Sequence, residues 1–231
     1  MESKVSFENL ERLGRAARNL GVDLISSARV HQEDRQNFHE SIRAVSEPLE
    51  YALVFGIRLS EPVLQTVVRA PTWTYYFHYR TVNFALDQHA LYLTGECERM
   101  GYRALPVPAT QILDWERLKG HLSHKRLGAL AGLGWKGRNN LLINPDYGAQ
   151  VRYATVLTDM PLPDRGLAGA HSGCGDCVRC LDVCPVGAIH EDPEDFELDR
   201  CAAQLRRFSK SEKLNTMICG LCVRVCPGKG R

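Results

Sequence analysis

The twelve residues CGDCVRCLDVCP, 174–185, decide how the rest of the chain is read. Cys174, Cys177, Cys180 and Cys184 stand at C-x2-C-x2-C-x3-C spacing with Pro185 directly after. That is the bacterial ferredoxin run for a [4Fe–4S] cluster, in which the fourth cysteine ligates the other of two clusters. Thiolates two residues apart on a tight loop wrap three corners of one cube. The next cysteine, a turn further on and held by the proline, points toward a second. CGLCVRVCP at 219–227 repeats C-x2-C-x3-C-P with Cys219, Cys222 and Cys226. An ordinary second ferredoxin motif would add a cysteine at position 216, where Thr216 stands, and the nearest thiol upstream is Cys201. The expected division is Cys174, Cys177, Cys180 and Cys226 on one cluster, and Cys184, Cys201, Cys219 and Cys222 on the other. C-x2-C pairs also serve zinc ribbons, but zinc gives no reason for two such runs with prolines in matching places.

Eight of the nine cysteines therefore sit at one end of the chain, a distribution unlike that of a secreted disulfide scaffold. The ninth, Cys97, falls on an expected helix and reads as a small buried apolar residue. The 231 residues are 44% hydrophobic and 24% charged, which argues against disorder and fibrous repeats and allows one medium domain plus a small module. Lys and Arg number 29 against 27 Asp and Glu, a formal +2, so no global field draws the chain to nucleic acid. No apolar run approaches the roughly 18 residues of a membrane span. The charged start, MESKVSFENLERLGRAARNLG, lacks a signal-peptide core. A cytoplasmic location, with no membrane partner, is the expectation.

Ahead of the cysteines, Phe7, Leu10, Leu13, Ala17 and Leu20 recur at helical spacing, with Gly21 as a stop. A short strand over 22–25, a polar helix over 31–46 and a buried strand over 51–59 follow. A long helix over 75–100 is expected to turn Phe84, Leu91 and Met100 inward, and a strand over 102–107 comes next. Ser123 caps a helix running to Leu133. NLLIN (140–144), a turn at Pro145–Asp146 and QVRYATVLTD (150–159) predict a β-hairpin. The pattern predicts an α/β (α+β) layer domain over 1–165 and a ferredoxin-like double-cluster module over 166–231.

The stretch AGLGWKGRNNLLINPDYGAQVRYATVLTDMPL, 131–162, followed by the double-cluster run with its displaced cysteine, resembles the epoxyqueuosine reductases. These are cobalamin-dependent iron–sulfur enzymes related to reductive dehalogenases. The likeness spans residues 5 to 230 and is strongest from Ala131 to Pro227. It implies a nitroreductase-like α/β domain that holds a corrinoid base-off. It also implies two [4Fe–4S] clusters that feed cobalt from a low-potential donor of ferredoxin or flavodoxin type. TYYFHYRTVN, 74–83, resembles the family's Tyr/His-bearing helix start near the corrinoid and makes Tyr76, His78 and Tyr79 cofactor candidates. With Tyr75 these crowd four such residues into five positions, more than one helix face can bury. In AGLGWKGRN, Gly132, Gly134 and Gly137 permit close backbone approach. Trp135, Lys136 and Arg138 beside them complete the set for phosphate or amide groups. The run follows a helix and precedes a strand, the reverse of a dinucleotide fingerprint.

Two departures from that family matter. Its members carry a VDTGPV-like segment whose aspartate is the presumed proton donor, whereas the spacing here places Leu118 at or near that position. Asp114 and Glu116 are the nearest substitutes and the catalytic candidates. The sequence also ends four residues after Pro227, where those enzymes continue into a helical-repeat domain, so it resembles a shorter branch of double-cluster proteins. His121 and His124 lack a third ligand at metal spacing. His31, His39, His89, His171 and His190 read as surface or packing residues. Three functions follow. The first is a corrinoid-dependent reductase, or a corrinoid reductase serving another corrinoid protein. The second is an epoxyqueuosine reductase meeting tRNA through Arg117, Lys119, Lys125, Arg126, Lys136 and Arg138. The third is a plain two-cluster electron carrier with a docking domain.

Overall fold

YALVFGIR is apolar almost throughout, and in the computed structural model it forms a strand buried over Ala52–Gly56. The structure describes residues 4–116, 118–166 and 173–228, so Arg117 and His171 lie outside the described residues. In chain order the elements begin α1 (Lys4–Asn19), β1 (Leu24–Arg29), α2 (Gln32–Arg35), α3 (Glu40–Arg43), β2 (Tyr51–Arg58), α4 (Glu61–Gln65) and α5 (Trp73–Arg99). They continue as β3 (Ala104–Val107), α6 (His124–Leu130), β4 (Trp135–Lys136), β5 (Leu142–Ile143) and β6 (Val151–Thr158). The cysteine-rich end holds α7 (Arg179–Asp182), a 3-10 turn (Pro193–Asp195), α8 (Leu198–Ser211) and α9 (Leu221–Arg224). The fold is a mixed α/β one with open sheets, and its residues group into two compact units.

The first unit takes residues 4–57, 83–133 and 152–166. Its sheet runs β1-β2-β6-β3, with β1 antiparallel to β2 (Leu24 opposite Gly56) and β3 antiparallel to β6 (Ala104 opposite Thr158). The two apolar strands occupy the centre, and Pro106 sits on the edge strand β3, where a missing N–H is tolerated. Leu53, Phe55, Ala154, Val156 and Leu157 are fully enclosed, each large side chain contributing about 1.5–3 kcal/mol of burial. Helix α5 presents Leu86, Ala90, Leu93 and Cys97 to this core, while Phe84 and Leu91 are 65% and 61% exposed. The face expected from the sequence is therefore corrected. The helix has apolar residues on several sides, so periodicity alone did not select the buried one.

Two further expectations are corrected. The helix over 31–46 is two short ones, because Asp34 and Arg35 are drawn inward: Asp34 pairs with Arg126 at 2.6 Å and Arg35 donates to the carbonyl of Leu49 at 2.8 Å. The hairpin does not form either. β5 pairs with β4, and β6 lies between β2 and β3, since a long buried strand needs partners along both edges. The turn itself remains: Asn144 bridges Gly148, and its Oδ1 accepts from the amides of Asp146 (3.0 Å) and Tyr147 (3.1 Å). Cys97 is buried, and burial pushes its thiol up to about 11. No helix among the described residues is long and apolar enough to cross a membrane.

The second unit takes residues 58–82, 134–151 and 173–228. It contains the β4–β5 pair, α4, the first turns of α5, and every element that carries the clustered cysteines. Within it α9 packs against α4 and α7.

Candidate iron–sulfur centre

Both cysteine runs fold alike. In the first, the amide of Cys177 donates to the carbonyl of Cys174 (3.1 Å), α7 carries Cys180, and the amide of Cys184 closes onto Leu181 (3.1 Å) before Pro185. In the second, Gly220 adopts φ 85°, α9 carries Cys222, and the amide of Cys226 closes onto Val223 (3.2 Å) before Pro227. The displaced Cys201 comes from α8, whose Ala202, Gln204 and Phe208 are buried.

Electrostatics sort the thiols into two groups. Burial pushes Cys219 up to about 11, and the neighbouring charges of Cys201 and Cys184 add to it. Cys222 is raised well above the thiol range by burial, then by Cys219 and Cys201, with Cys180 and Cys184 adding less. Burial likewise lifts Cys226, with Cys174 and Cys177 adding to the rise and Arg179 opposing it. Cys180 rises to about 11 by burial and then through Cys226, Cys174 and Cys177. Cys184, Cys201, Cys219 and Cys222 line one cavity, Cys180 and Cys226 are acted on by each other or by Cys174 and Cys177, and Cys222 also feels Cys180. Buried thiols that repel one another as they ionise suit a cationic iron core, which takes thiolates and offsets that cost. Among the described residues no three His, Cys, Asp or Glu side chains converge as ligands of a single ion would. Thiolates around a four-iron cube stand further apart than that.

The surrounding residues hold these loops. Arg138 donates from its three guanidinium nitrogens to the carbonyls of Glu191 (2.6 Å), Cys177 (2.8 Å) and Gly175 (2.9 Å). Arg179 Nε reaches Cys177 Sγ at 3.5 Å and lowers that thiol's pKa. The amide of Ala188 donates to Cys184 Sγ at 3.3 Å. The amide of Ala149 donates to the Cys226 carbonyl (3.0 Å), and Gln150 Nε2 to that of Arg224 (2.9 Å). The Tyr75 ring lies against Gly220, where a Cβ would fall 2.6 Å from Cε1. Asn139 is 5% exposed and lines the cavity walled by Cys184, Cys201, Cys219 and Cys222, and its Nδ2 has no partner among the described residues. An unpaired buried donor beside four thiols fits a cluster, whose sulfurs accept hydrogen bonds. A separate cavity of about 320 Å³, lined by Glu61, Gln65, Gln150, Arg179, Arg224 and Pro227, opens beside the last run. Sequence reasoning missed Asn139, Gly148 and Gln150, although Asn139 closes the AGLGWKGRN run and the other two lie in or near the compact turn at 144–148.

The residues named for a corrinoid have other engagements. His78 Nε2 accepts from the amide of Ser60 (2.9 Å), and burial lowers its pKa. Tyr76 is buried and its hydroxyl accepts from Arg80 (3.1 Å), while Tyr79 packs its ring 6.2 Å from Tyr75. Gly132, with φ 72°, ends α6 as the amide of Leu133 returns to the carbonyl of Gly128 (2.9 Å). A Cβ on Gly134 would meet the Ile143 carbonyl at 1.9 Å, and one on Gly137 the Ile143 side chain at 2.4 Å. These two glycines therefore admit the chain's own β5. Trp135 begins β4, and Lys136 pairs with Glu194 at 2.9 Å.

The catalytic candidates sit on a closed loop in the first unit. Asp114 bridges Lys119, and Asp114 Oδ1 accepts from the amide of Glu116 at 3.0 Å, so this carboxylate shapes its own turn. Glu116 is exposed, and Leu118 takes φ 51°. His124 is half-buried, with Nδ1 2.8 Å from Thr155 Oγ1 and Nε2 2.9 Å from the carbonyl of Pro108. Burial brings its pKa down to about 4. It is a neutral packing residue.

Residues 173–229 match the family model described as a 4Fe-4S double cluster binding domain. The cysteine-rich end of the chain thus matches a double-cluster binding module. Curated relatives bear the name epoxyqueuosine reductase, and that of Pseudomonas aeruginosa is 29% identical over 200 residues, 81% of this chain and 51% of the relative. The chain spans about half or less of the length of these relatives. Among solved structures, a reductive dehalogenase whose structure suggests a mechanism for B12-dependent dehalogenation gives a TM-score of 0.73 at 20% identity. That likeness covers 96% of this chain and 32% of the other. The epoxyqueuosine reductase from Streptococcus thermophilus gives 0.63 at 20% identity over 96% and 66%. Both structures share this fold.

Proposed function

We propose that this chain is an iron–sulfur oxidoreductase of the epoxyqueuosine reductase kind, acting on a modified nucleoside of tRNA. In this reading two [4Fe–4S] clusters, one on Cys174, Cys177, Cys180 and Cys226 and one on Cys184, Cys201, Cys219 and Cys222, relay electrons from a low-potential ferredoxin or flavodoxin. Removing an epoxide oxygen consumes two electrons and two protons and releases water, and each cluster passes one electron at a time. The observation that carries the reading is the cavity walled by Cys184, Cys201, Cys219 and Cys222, with Cys174 and Cys177 as the thiol neighbours that raise both Cys180 and Cys226. Curated relatives named epoxyqueuosine reductase, one of them matching over 81% of the chain, support the substrate class. A corrinoid is the cofactor that the dehalogenase-like fold brings in. It would supply a low-valent cobalt nucleophile, but the residues named for it are otherwise engaged, so it enters as a ligand to be tested. The test is anaerobic turnover of tRNA bearing epoxyqueuosine with a chemical reductant, with and without cob(II)alamin. Formation of the deoxygenated nucleoside, and tRNA binding that weakens linearly with the logarithm of salt, are expected.

One observation favours a second reading, a corrinoid-linked reductase without a tRNA substrate. The position expected to carry the proton donor holds Leu118, and Asp114 is committed to its own turn. Cob(II)alamin that loses its axial-nitrogen splitting on stoichiometric binding, with no affinity for tRNA, would select it. An unchanged cobalt spectrum and no tRNA binding would leave the two-cluster electron carrier.

A further inference from the structure

Asn139 is a short polar side chain, nine-tenths and more enclosed, at the end of the GWKGRNN run. Its Oδ1 accepts from the amide of Leu141 at 3.2 Å. That bond fixes which end of the amide is oxygen and leaves Nδ2 as the donor. Nδ2 has no partner among the described residues, and the side chain lines the cavity walled by Cys184, Cys201, Cys219 and Cys222. A buried amide donor left unpaired is costly, so its acceptor belongs to whatever the four thiols hold. The same thiol set already receives one N–H···S contact, from Ala188 to Cys184.

We propose that Asn139 donates its side-chain N–H to a sulfur of the cluster on Cys184, Cys201, Cys219 and Cys222, and so sets that cluster's reduction potential above what the thiolates alone would give. This rests on the reading that those cysteines hold a [4Fe–4S] cluster. A hydrogen bond to cluster sulfur strengthens as the cube takes up an electron and its sulfurs gain charge, so it favours the reduced form. Asn139 is a positioning residue in this account, and its effect is confined to one of the two clusters.

The experiment is a potentiometric titration followed by EPR on the full chain with both clusters loaded, comparing wild type, Asn139→Ala and Asn139→Asp. Asp keeps an oxygen for the Leu141 amide but removes the donor, so a shift common to both variants reports the N–H and not the loop. The expected result is a fall of about tenfold in the reduction equilibrium of one cluster, about 59 mV for one electron, with a larger fall in Asn139→Asp. The other cluster, marked by its altered signal in Cys174→Ser, keeps its midpoint. Unmoved midpoints in a variant with full iron content, or a shift confined to the other cluster, would overturn the assignment. Should both variants shed iron, pulsed EPR of the wild type labelled with 15N-asparagine decides: a weak nitrogen coupling to the reduced cluster supports the bond and its absence refutes it. A wild type that binds no pair of four-iron clusters would instead sink the reading on which the proposal rests.

Discussion

Gly148 has φ 57°, and a Cβ placed there would fall 2.0 Å from the Cys226 carbonyl oxygen and 2.5 Å from the Gly228 amide. Both neighbours are backbone of the loop that carries Cys226, so neither can yield by turning a side chain. Gly148→Ala should therefore cost more than the roughly 1–2 kcal/mol of a left-handed alanine, and the excess should appear at the cluster. Iron per chain is expected to fall to about half, with Cys226 displaced from one cluster. Gly21→Ala is the control, because Gly21 has φ 83° with nothing within 4 Å. It feels the backbone strain without the clash, and full loss of iron in both variants would refute the steric account. The sequence could show the eight cysteines because their chemistry is carried by local spacing. It could not show what Arg138 holds, because its three carbonyl partners lie 37 to 53 positions away, and so that residue reads there as a candidate for phosphate or amide groups.

At the scale of elements, α6 illustrates what a local pattern does and does not reveal. Ser123 was legible as its cap, and its Oγ accepts from the amide of Arg126 (3.2 Å). The burial of His124 in the first turn was not legible, because it depends on β6 and the Pro108 segment. The Pro108 carbonyl can only accept, so Nε2 carries a proton, and in the neutral ring Nδ1 accepts from the Thr155 hydroxyl. Its folded pKa of about 4 lies below the ordinary 6.5, so between these values the unfolded chain binds more protons. The stability due to the neutral ring is thus complete above about pH 6.5 and drains away as pH falls toward 4. Between pH 7 and pH 5 the loss amounts to about 2 kcal/mol. His124→Asn should be less stable than wild type at pH 7, with a shallower decline to pH 5 in urea unfolding. Parallel declines would mean that His124 does not titrate as its surroundings require. The misread hairpin has the same origin, since β6 was expected to take the strand next to it in sequence, whereas its partners β2 and β3 are remote.

For the whole molecule, composition changes near residue 165, and a reader of sequence divides the chain there. The compact grouping instead joins 58–82 and 134–151 to the cysteine-rich end through contacts such as Tyr75 on Gly220 and Gly148 on Cys226. These segments contain no cysteine, and nothing in their composition announces the association. The two units also differ in what can hold them together. The first has a four-stranded sheet with fully enclosed Leu53, Phe55 and Leu157. Apart from α8, the second relies on α4, α7 and α9, helices of four or five residues that are far too short to persist alone, and on thiols that repel one another as they ionise. Where metal supplies the missing attraction, binding free energy becomes folding free energy. Stripping iron anaerobically with a chelator should therefore abolish hydrogen-exchange protection over 134–151 and 173–228. Amides of β2, β6 and Leu86–Cys97 should stay protected to within about tenfold, and iron and sulfide should restore the rest. Simultaneous loss of protection across both units would mean that the sheet has no stability apart from the clusters, and the division of labour between core and metal would fall.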